Sequence, residues 1–332
     1  MDSIFTHAKP GSAKTVNAKA QRAKAQRRKG AKKAHRLNIK SFFWVAKPAA
    51  VAPMGCFQHF LQLSVFFAPW RLCGRATAVF GCTAVFLASL ASGAEPQRPT
   101  PLKSGLEFAG ADIRALQADD FANPGVLWVV RGEKLWQEPA GRDGKSCASC
   151  HGDAKAGMRG AATRYPLLDP GTARLINLEG RIMQCREERQ QAAPLGHESA
   201  ELLALSTYVR HQSRGMPVNV SIDWQNRSHF EAGRAMFYRR LGQLNLSCAQ
   251  CHQDNWGKKL GSETISQGHG NAYPIYRLEW QTVGSLHRRF RTCVSAMRAE
   301  MLPYGAPEYL DMELYLAWRA SGLPVETPGV RR

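Results

Sequence analysis

The spacing of apolar positions predicts two matching pairs of helices. Val129, Gly132 and Trp136 recur at helical intervals, and so do Phe230, Gly233, Phe237 and Leu241. Leu202, Leu205 and Val209 predict a later helix over 201–211. Leu310, Leu314 and Ala317 predict its counterpart over 307–319, opened by Pro307, a favoured first-turn residue. The period-two alternation of strands is scarce. The pairs belong to a longer repetition. "GEKLW" from Gly132 and "GRAMF" from Gly233 stand 101 residues apart. Tyr165-Pro166 and Tyr273-Pro274 stand 108 apart, as do Leu178 and Leu286, and Arg181 and Arg289. "GMPV" from Gly215 and "GLPV" from Gly322 stand 107 apart. Such self-similarity marks an internal duplication. The connector between the two units falls at 216–223, "MPVNVSID".

Charge changes the picture at one end only. The 332 residues carry a formal charge of +19, which at first points to nucleic acid. Residues 1–94 hold 15 Lys and Arg against one acid, Asp2. The remaining 30 basic and 25 acidic residues leave the body only mildly cationic, so a nucleic-acid partner is not expected. Within the leader, 71–94 reads as a Sec-type export signal. Arg71 and Arg75 flank an apolar run from Ala76 to Leu90, too short to span a bilayer comfortably, and Ser92 and Ala94 place cleavage after Ala94. The expected location is the periplasm, without a stable membrane anchor; an uncleaved anchor helix is the other reading. Residues 1–53 are a basic segment upstream of the signal, either disordered or the product of a start called too early, with Met54 the better start.

Six cysteines follow the signal: Cys147, Cys150, Cys185, Cys248, Cys251 and Cys293. An even count in an exported chain ordinarily reads as disulfides, but the spacing argues otherwise. "CASCH" and "CAQCH" are C-x-x-C-H haem c attachment motifs. Cys147 with Cys150, and Cys248 with Cys251, present two thiols on one side of a helical turn, where both haem vinyl groups can be bonded. His151 and His252 then face the iron. The expectation is two covalently bound haem c groups in a mainly α fold of two tandem cytochrome c-like domains, 95–218 and 219–332. A unit this small has a marginal core without its cofactor.

The sixth iron ligand is the open question. Met216 has the usual chemistry for the first haem, but its equivalent is Leu323, which cannot bind iron. The residue present in both halves is cysteine, so Cys185 and Cys293 are the expected distal ligands. Pairing of the two with each other, or burial of each as a small thiol, stays open. A thiolate ligand stabilises ferric iron and suits sulfur chemistry better than general electron carriage. Met183, Met297 and Met301 are expected in the core. His197, His211, His229, His269 and His287 lack repeat partners and are expected at the surface or in local hydrogen bonds. Arginine gathers only around the second thiol, with Arg288, Arg289, Arg291 and Arg298 near Cys293, and Arg319 facing Gln212 of the first half by repeat position. A guanidinium binds oxyanions through a planar fork and lowers a neighbouring thiol's pKa. Arg289 is favoured because it stands four residues before Cys293. Its counterpart Arg181 points to a partly structural role, such as pairing with a haem propionate.

These residues together resemble the SoxA family. The resemblance rests on two C-x-x-C-H motifs, a cysteine after each, and "RRFRTC" with the downstream "MRAEMLPYGAPEYLDMELYLAWRASG". It covers roughly residues 100–325 of the chain. It implies the dihaem subunit of a SoxAX cytochrome, paired with a SoxX-type monohaem cytochrome. The implied reaction is that of an L-cysteine S-thiosulfotransferase: thiosulfate is joined to a cysteine of a SoxYZ-type carrier with loss of two electrons. It also implies that Cys293 is the active-site cysteine, often found as a persulfide, with Arg289 and less firmly Arg319 as anion partners. A plain dihaem electron-transfer protein and a non-catalytic haem subunit of a larger oxidase are the competing classes.

Overall fold

The computed structural model describes residues 98–332; the expectations for the basic leader and the export signal lie outside them. Among the described residues the fold is mainly α, with a few two- or three-residue strands. Helix α1 spans Ala111–Ala118. The first repeat follows as α2 (Val126–Gln137), α3 (Cys147–His151), α4 (Ala154–Gly157), α5 (Leu178–Gln190) and α6 (Ala200–His211). The second is α7 (Arg227–Tyr238), α8 (Cys248–His252), α9 (Leu286–Ala296) and α10 (Pro307–Arg319).

The duplication extends to the backbone. Gly141 and Gly242 are left-handed at φ 70 and 68, Ala173 and Gln281 at 54 and 53, and Gly160 and Gly268 at 72 and 77. Helix α5 is capped by Asn177 and α9 by Ser285, 108 residues on, each accepting from a backbone N–H three residues later. Leu241 departs from the expected helix. Helix α7 ends at Tyr238, and Leu241 pairs across a turn with Leu246. The turn needs left-handed backbone at Gly242 and Asn245, which a helix cannot carry.

In each half the two long helices cross at a glycine. A Cβ on Gly132 would overlap the Ala204 carbonyl of α6, and one on Gly233 the Asp311 carbonyl of α10. The close approach lets aromatic rings fill the flanks: Trp136 meets Tyr208 at 6.0 Å, and Phe230 and Phe237 meet Tyr315 at 5.5 and 5.3 Å. Helices α6 and α10 are buried nearly all round, so the one-sided stripes expected of them understate their enclosure. Leu314 is fully buried, while Leu310 and Ala317 are only partly so. Leu203 of α6 packs on Tyr276, Val283 and Val330 of a three-stranded sheet. That sheet runs Thr282–Gly284, Ile275–Arg277, Gly329–Arg331, with the last strand parallel to the middle one.

Residues 216–218 are more than a connector. They pair antiparallel with their own repeat equivalents: Gly215 N–H donates to Val325 O, Val325 N–H to Met216 O, and Val218 N–H to Leu323 O, each at 2.9 Å. Beside this seam lies a buried ionic cluster drawn from both halves. Glu313 of α10 accepts from Asn177 Nδ2 at 3.0 Å and meets His287 Nε2 at 3.3 Å. The Gly305 N–H donates to His287 Nδ1, which assigns the ring proton to Nε2. Glu179 and Arg210 complete the cavity wall. Burial, then the charge of Glu313, pushes Glu179 above the usual carboxylate range. Burial also opposes ionisation of Glu313, but the hydrogen bond from His287, with the Arg210 charge, holds it below. His287, expected at the surface or in local hydrogen bonds, is thus buried as a partner to these acids.

Two outcomes follow. Gly233→Ala should destabilise by roughly 1–3 kcal/mol, the cost of overpacking against backbone, while Gly196→Ala, which opens onto free space, should be near neutral in denaturant unfolding. Glu179 binds a proton more tightly folded than unfolded, so stability should fall as pH rises above about 4.5. In Glu179→Gln that fall should be reduced, as read from melting temperature against pH.

Candidate active site

Each haem motif is a five-residue helix with a reciprocal cap. Ser146 accepts from Ser149 N–H at 3.1 Å and Ser247 from Gln250 N–H at 3.2 Å. In each case the third helical residue's side chain accepts from the cap's own N–H. The cap fixes the turn on which the thiol pair is presented. In the first half Trp136 Nε1 donates to Gly152 O at 2.9 Å, and its ring lies 5.7 Å from that of His151.

The second histidine is held more closely. His252 Nδ1 donates to Ser266 O at 2.8 Å, leaving the Nε2 lone pair for a metal. Gly268 lies so near the ring that an added Cβ would stand 2.8 Å from His252 Cγ. Burial lowers the His252 pKa, the Ser266 bond opposes this, and Arg289 and Arg319 add to the lowering, so the ring is kept neutral.

Cys185 and Cys293 lie on the matching helices α5 and α9, each facing the thiol pair of its own half. Burial raises the Cys147 thiol, and Cys185 adds to this despite Arg186. Burial pushes Cys248 up to about 12, with Cys293 the next contributor. Both Cys185 and Cys293 are free thiols in separate halves and do not pair with each other. Met216, the other ligand considered for the first haem, packs its Cε and Sδ against Gly160.

The arginine of the two helices differs in its partner. Arg181 Nη2 donates to Asp169 Oδ1 at 2.6 Å. The Thr172 hydroxyl and then Arg181 draw the Asp169 carboxyl down to about 2. The residue 108 positions beyond Asp169 is Arg277, itself paired with Glu279 at 2.9 Å. Among the described residues Arg289 makes no close ion pair, and Glu279 and Glu263 act on it only at a distance. Burial works against its charge, but Cys293 and Tyr273 favour it. One turn apart on α9, Arg289 and Cys293 form a cation–thiol pair.

Arg319 is placed elsewhere. It is fully buried under Phe237, with its guanidinium carbon 4.6 Å from that ring's centre, and Nη1 donates to Gln253 Oε1 at 2.8 Å. Its charge acts on His269 and, together with Arg289, on His252. Among the described residues its Nε and Nη2 have no hydrogen-bond partner. Two unpartnered guanidinium donors buried beside a haem motif fit the carboxylate of a haem propionate. The capped thiol pairs, the free Nε2 of His252 and these donors together fit covalent haem c.

Other expectations shift as well. Met297 is buried as expected, but Met301 is 44 % exposed. His269 is buried, with burial the main cause of a pKa lowered to about 3, and it meets Gln267 Oε1 at 3.1 Å. His211 and His229 bond not locally but to Thr327 O and Asp311, 116 and 82 positions away. Asp169, Ser266, Gly268 and Tyr273 were not singled out for the site; the repeat registers of Gly268 with Gly160 and of Arg277 with Asp169 carried the signal.

Comparison with known proteins agrees with this geometry. Residues 131–218 and 232–325 match the SoxA/TsdA cytochrome c domain. The L-cysteine S-thiosulfotransferase subunit SoxA of Pseudaminobacter salicylatoxidans is 43 % identical over 230 residues, 69 % of this chain and 80 % of the relative. The subunit of the same name from Rhodovulum sulfidophilum is 38 % identical over the same shares of each chain. A crystal structure of SoxXA from P. pantotrophus superposes with a TM-score of 0.68 at 37 % identity, covering 70 % of this chain and 87 % of that one. With two matched domains, each built around its own C-x-x-C-H helix, this chain belongs to the SoxA/TsdA cytochrome c domain family.

Proposed function

We propose that this chain is the catalytic dihaem subunit of an L-cysteine S-thiosulfotransferase, the activity named for its relatives. The observation that carries the reading is the Arg289–Cys293 pair beside the second haem motif, where Arg277 replaces the acid that neutralises Arg181 in the first half. Domain 1 covers 95–218 and domain 2 covers 219–332. Cys147 and Cys150 would hold one haem c covalently, with His151 and Cys185 the residues that would bind its iron. Cys248 and Cys251 would hold the other, with His252 and Cys293 in the same roles. A SoxX-type cytochrome is the partner subunit, as in the SoxXA structure that the fold matches. Export to the periplasm rests on the signal read at 71–94; among the described residues no helix is long and apolar enough to cross a membrane.

The reaction joins thiosulfate to a thiol of a SoxYZ-type carrier. A bond forms between the outer sulfur of thiosulfate and the carrier sulfur, giving a thiosulfonate, one proton and two electrons. Arg289 grips the sulfonate oxygens with its planar fork and aims the outer sulfur at Cys293. Its permanent charge offsets the repulsion between a dianion and a nearby thiolate. Cys293 presents the sulfur at which the transferred group is held. Buried Tyr273 walls the same site beside Arg289. Arg319, fully buried under Phe237 with Nε and Nη2 unpartnered among the described residues, is kept as a second anion partner, for thiosulfate or for a haem carboxylate. Haem c, when bound, would supply one-electron acceptance, and the two electrons require a second acceptor, for which the partner cytochrome is the candidate.

Cys293→Ala should abolish turnover with thiosulfate and a carrier thiol while two haems per chain remain. Electron paramagnetic resonance of the same variant should lose one of two thiolate-type low-spin signals, and Cys185→Ala should lose the other. Undiminished turnover in Cys293→Ala would mean a plain electron carrier. Arg289→Ala should lower kcat/KM for thiosulfate roughly a hundredfold, the scale of losing one preorganised charge-stabilising group. Arg289→Lys should recover only part, because it restores charge but not the fork.

A further inference from the structure

The segment ahead of the first repeat does not pack on the first haem motif. It crosses to the second half. Phe108 meets Trp256, four residues past His252, edge-on at 6.0 Å. The Ser104 hydroxyl donates to Glu326. The most telling contact is with Gln267, whose side chain is fully buried. Lys103 N–H donates to Gln267 Oε1 at 2.8 Å, and Gln267 Nε2 donates to Pro101 O at 2.8 Å. The amide thus pairs with the arm's backbone as a neighbouring strand would. Oε1 also takes the His269 Nε2–H at 3.1 Å, so three of the amide's bonding positions are used.

Gln267 sits between the two residues that hold His252. Ser266 O takes the proton of Nδ1, and Gly268, at φ 77, backs the ring. The first half lacks this device. Arg159 stands at the position of Gln267 and Met158 at that of Ser266. The Met158 carbonyl is taken by Ala161 N–H at 3.0 Å, and Met216 fills the space beside Gly160. The arm therefore bears on one haem site, the one with the Arg289–Cys293 pair.

We propose that Gln267 is a positioning residue for His252: it fastens the arm at 101–103 to the loop 266–268, and so fixes the orientation and hydrogen bond of the imidazole. The strength of the Nδ1–H bond sets the basicity of the ligand, and thereby the electron density it gives the iron. The arm acts on the second site through the backbone, with no side chain of its own at the imidazole.

This inference rests on a haem being attached at Cys248 and Cys251, so haem content of the wild-type holoprotein, complexed with its partner cytochrome, is measured first. Two haems per chain support the proposed function independently of the arm; one haem, with none at Cys248 and Cys251, overturns both. Gln267→Leu then removes the amide, and Lys103→Pro removes the arm's donor without altering any fully buried side chain. The signals of the two haems are assigned with the Cys185 and Cys293 variants. Both variants are expected to shift the midpoint potential and the low-spin resonance of the second haem, to leave those of the first in place, and to speed hydrogen exchange at 101–104. The proposal is overturned if exchange rises while the second haem's potential and resonance stay put, or if both haems shift together as in general loosening. Should Gln267→Leu fail to fold, Lys103→Pro decides by the same readouts.

Discussion

A carbonyl oxygen pressed against a glycine is the contact on which each half is built. At Gly132 and Gly233 the crossing helices approach until only a hydrogen fits between them. That proximity is what lets Trp136, Phe230, Phe237 and Tyr315 close over the interior of small units. A domain of this size buries too little apolar surface to be forgiving, and each aromatic contact counts for more than in a large core. The motif helices and the two thiol-bearing helices are hung on this crossing, so the positions of Cys185 and Cys293 are set by it.

On this shared frame the two halves have diverged by a few charge exchanges. Asp169 in one half is Arg277 in the other, and the arginine on the neighbouring helix passes from a close carboxylate pair to a cation without one. Glu179 and His287 likewise stand 108 residues apart, and both turn inward to the cluster between the halves. An acid opposite its equivalent base satisfies both where two acids would repel. The backbone scarcely records these exchanges: caps, left-handed residues and helix ends recur.

What the sequence disclosed were features of local chemistry or of repetition. The C-x-x-C-H pentapeptides, the helices at 201–211 and 307–319, and the helical separation of Arg289 from Cys293 are all short-range. What it hid were contacts between residues far apart along the chain. Gln267 meets Lys103 across 164 positions, and Glu313 meets Asn177 across 136. Nothing in the local pattern marks those pairs. Arg319 shows the same limit: its repeat position opposite Gln212 says nothing of the Phe237 ring that covers its guanidinium. His269 and His287 looked solitary because a partner was sought only at the repeat offset.

The antiparallel seam of Met216–Val218 with Leu323–Val325 has an evolutionary corollary. Fusion of the ancestral copies has become irreversible, since each lends backbone to the other and the first donates Asn177 to the cluster of the second. Loss of either copy would strip the other of this backbone pairing and of a partner in that cluster.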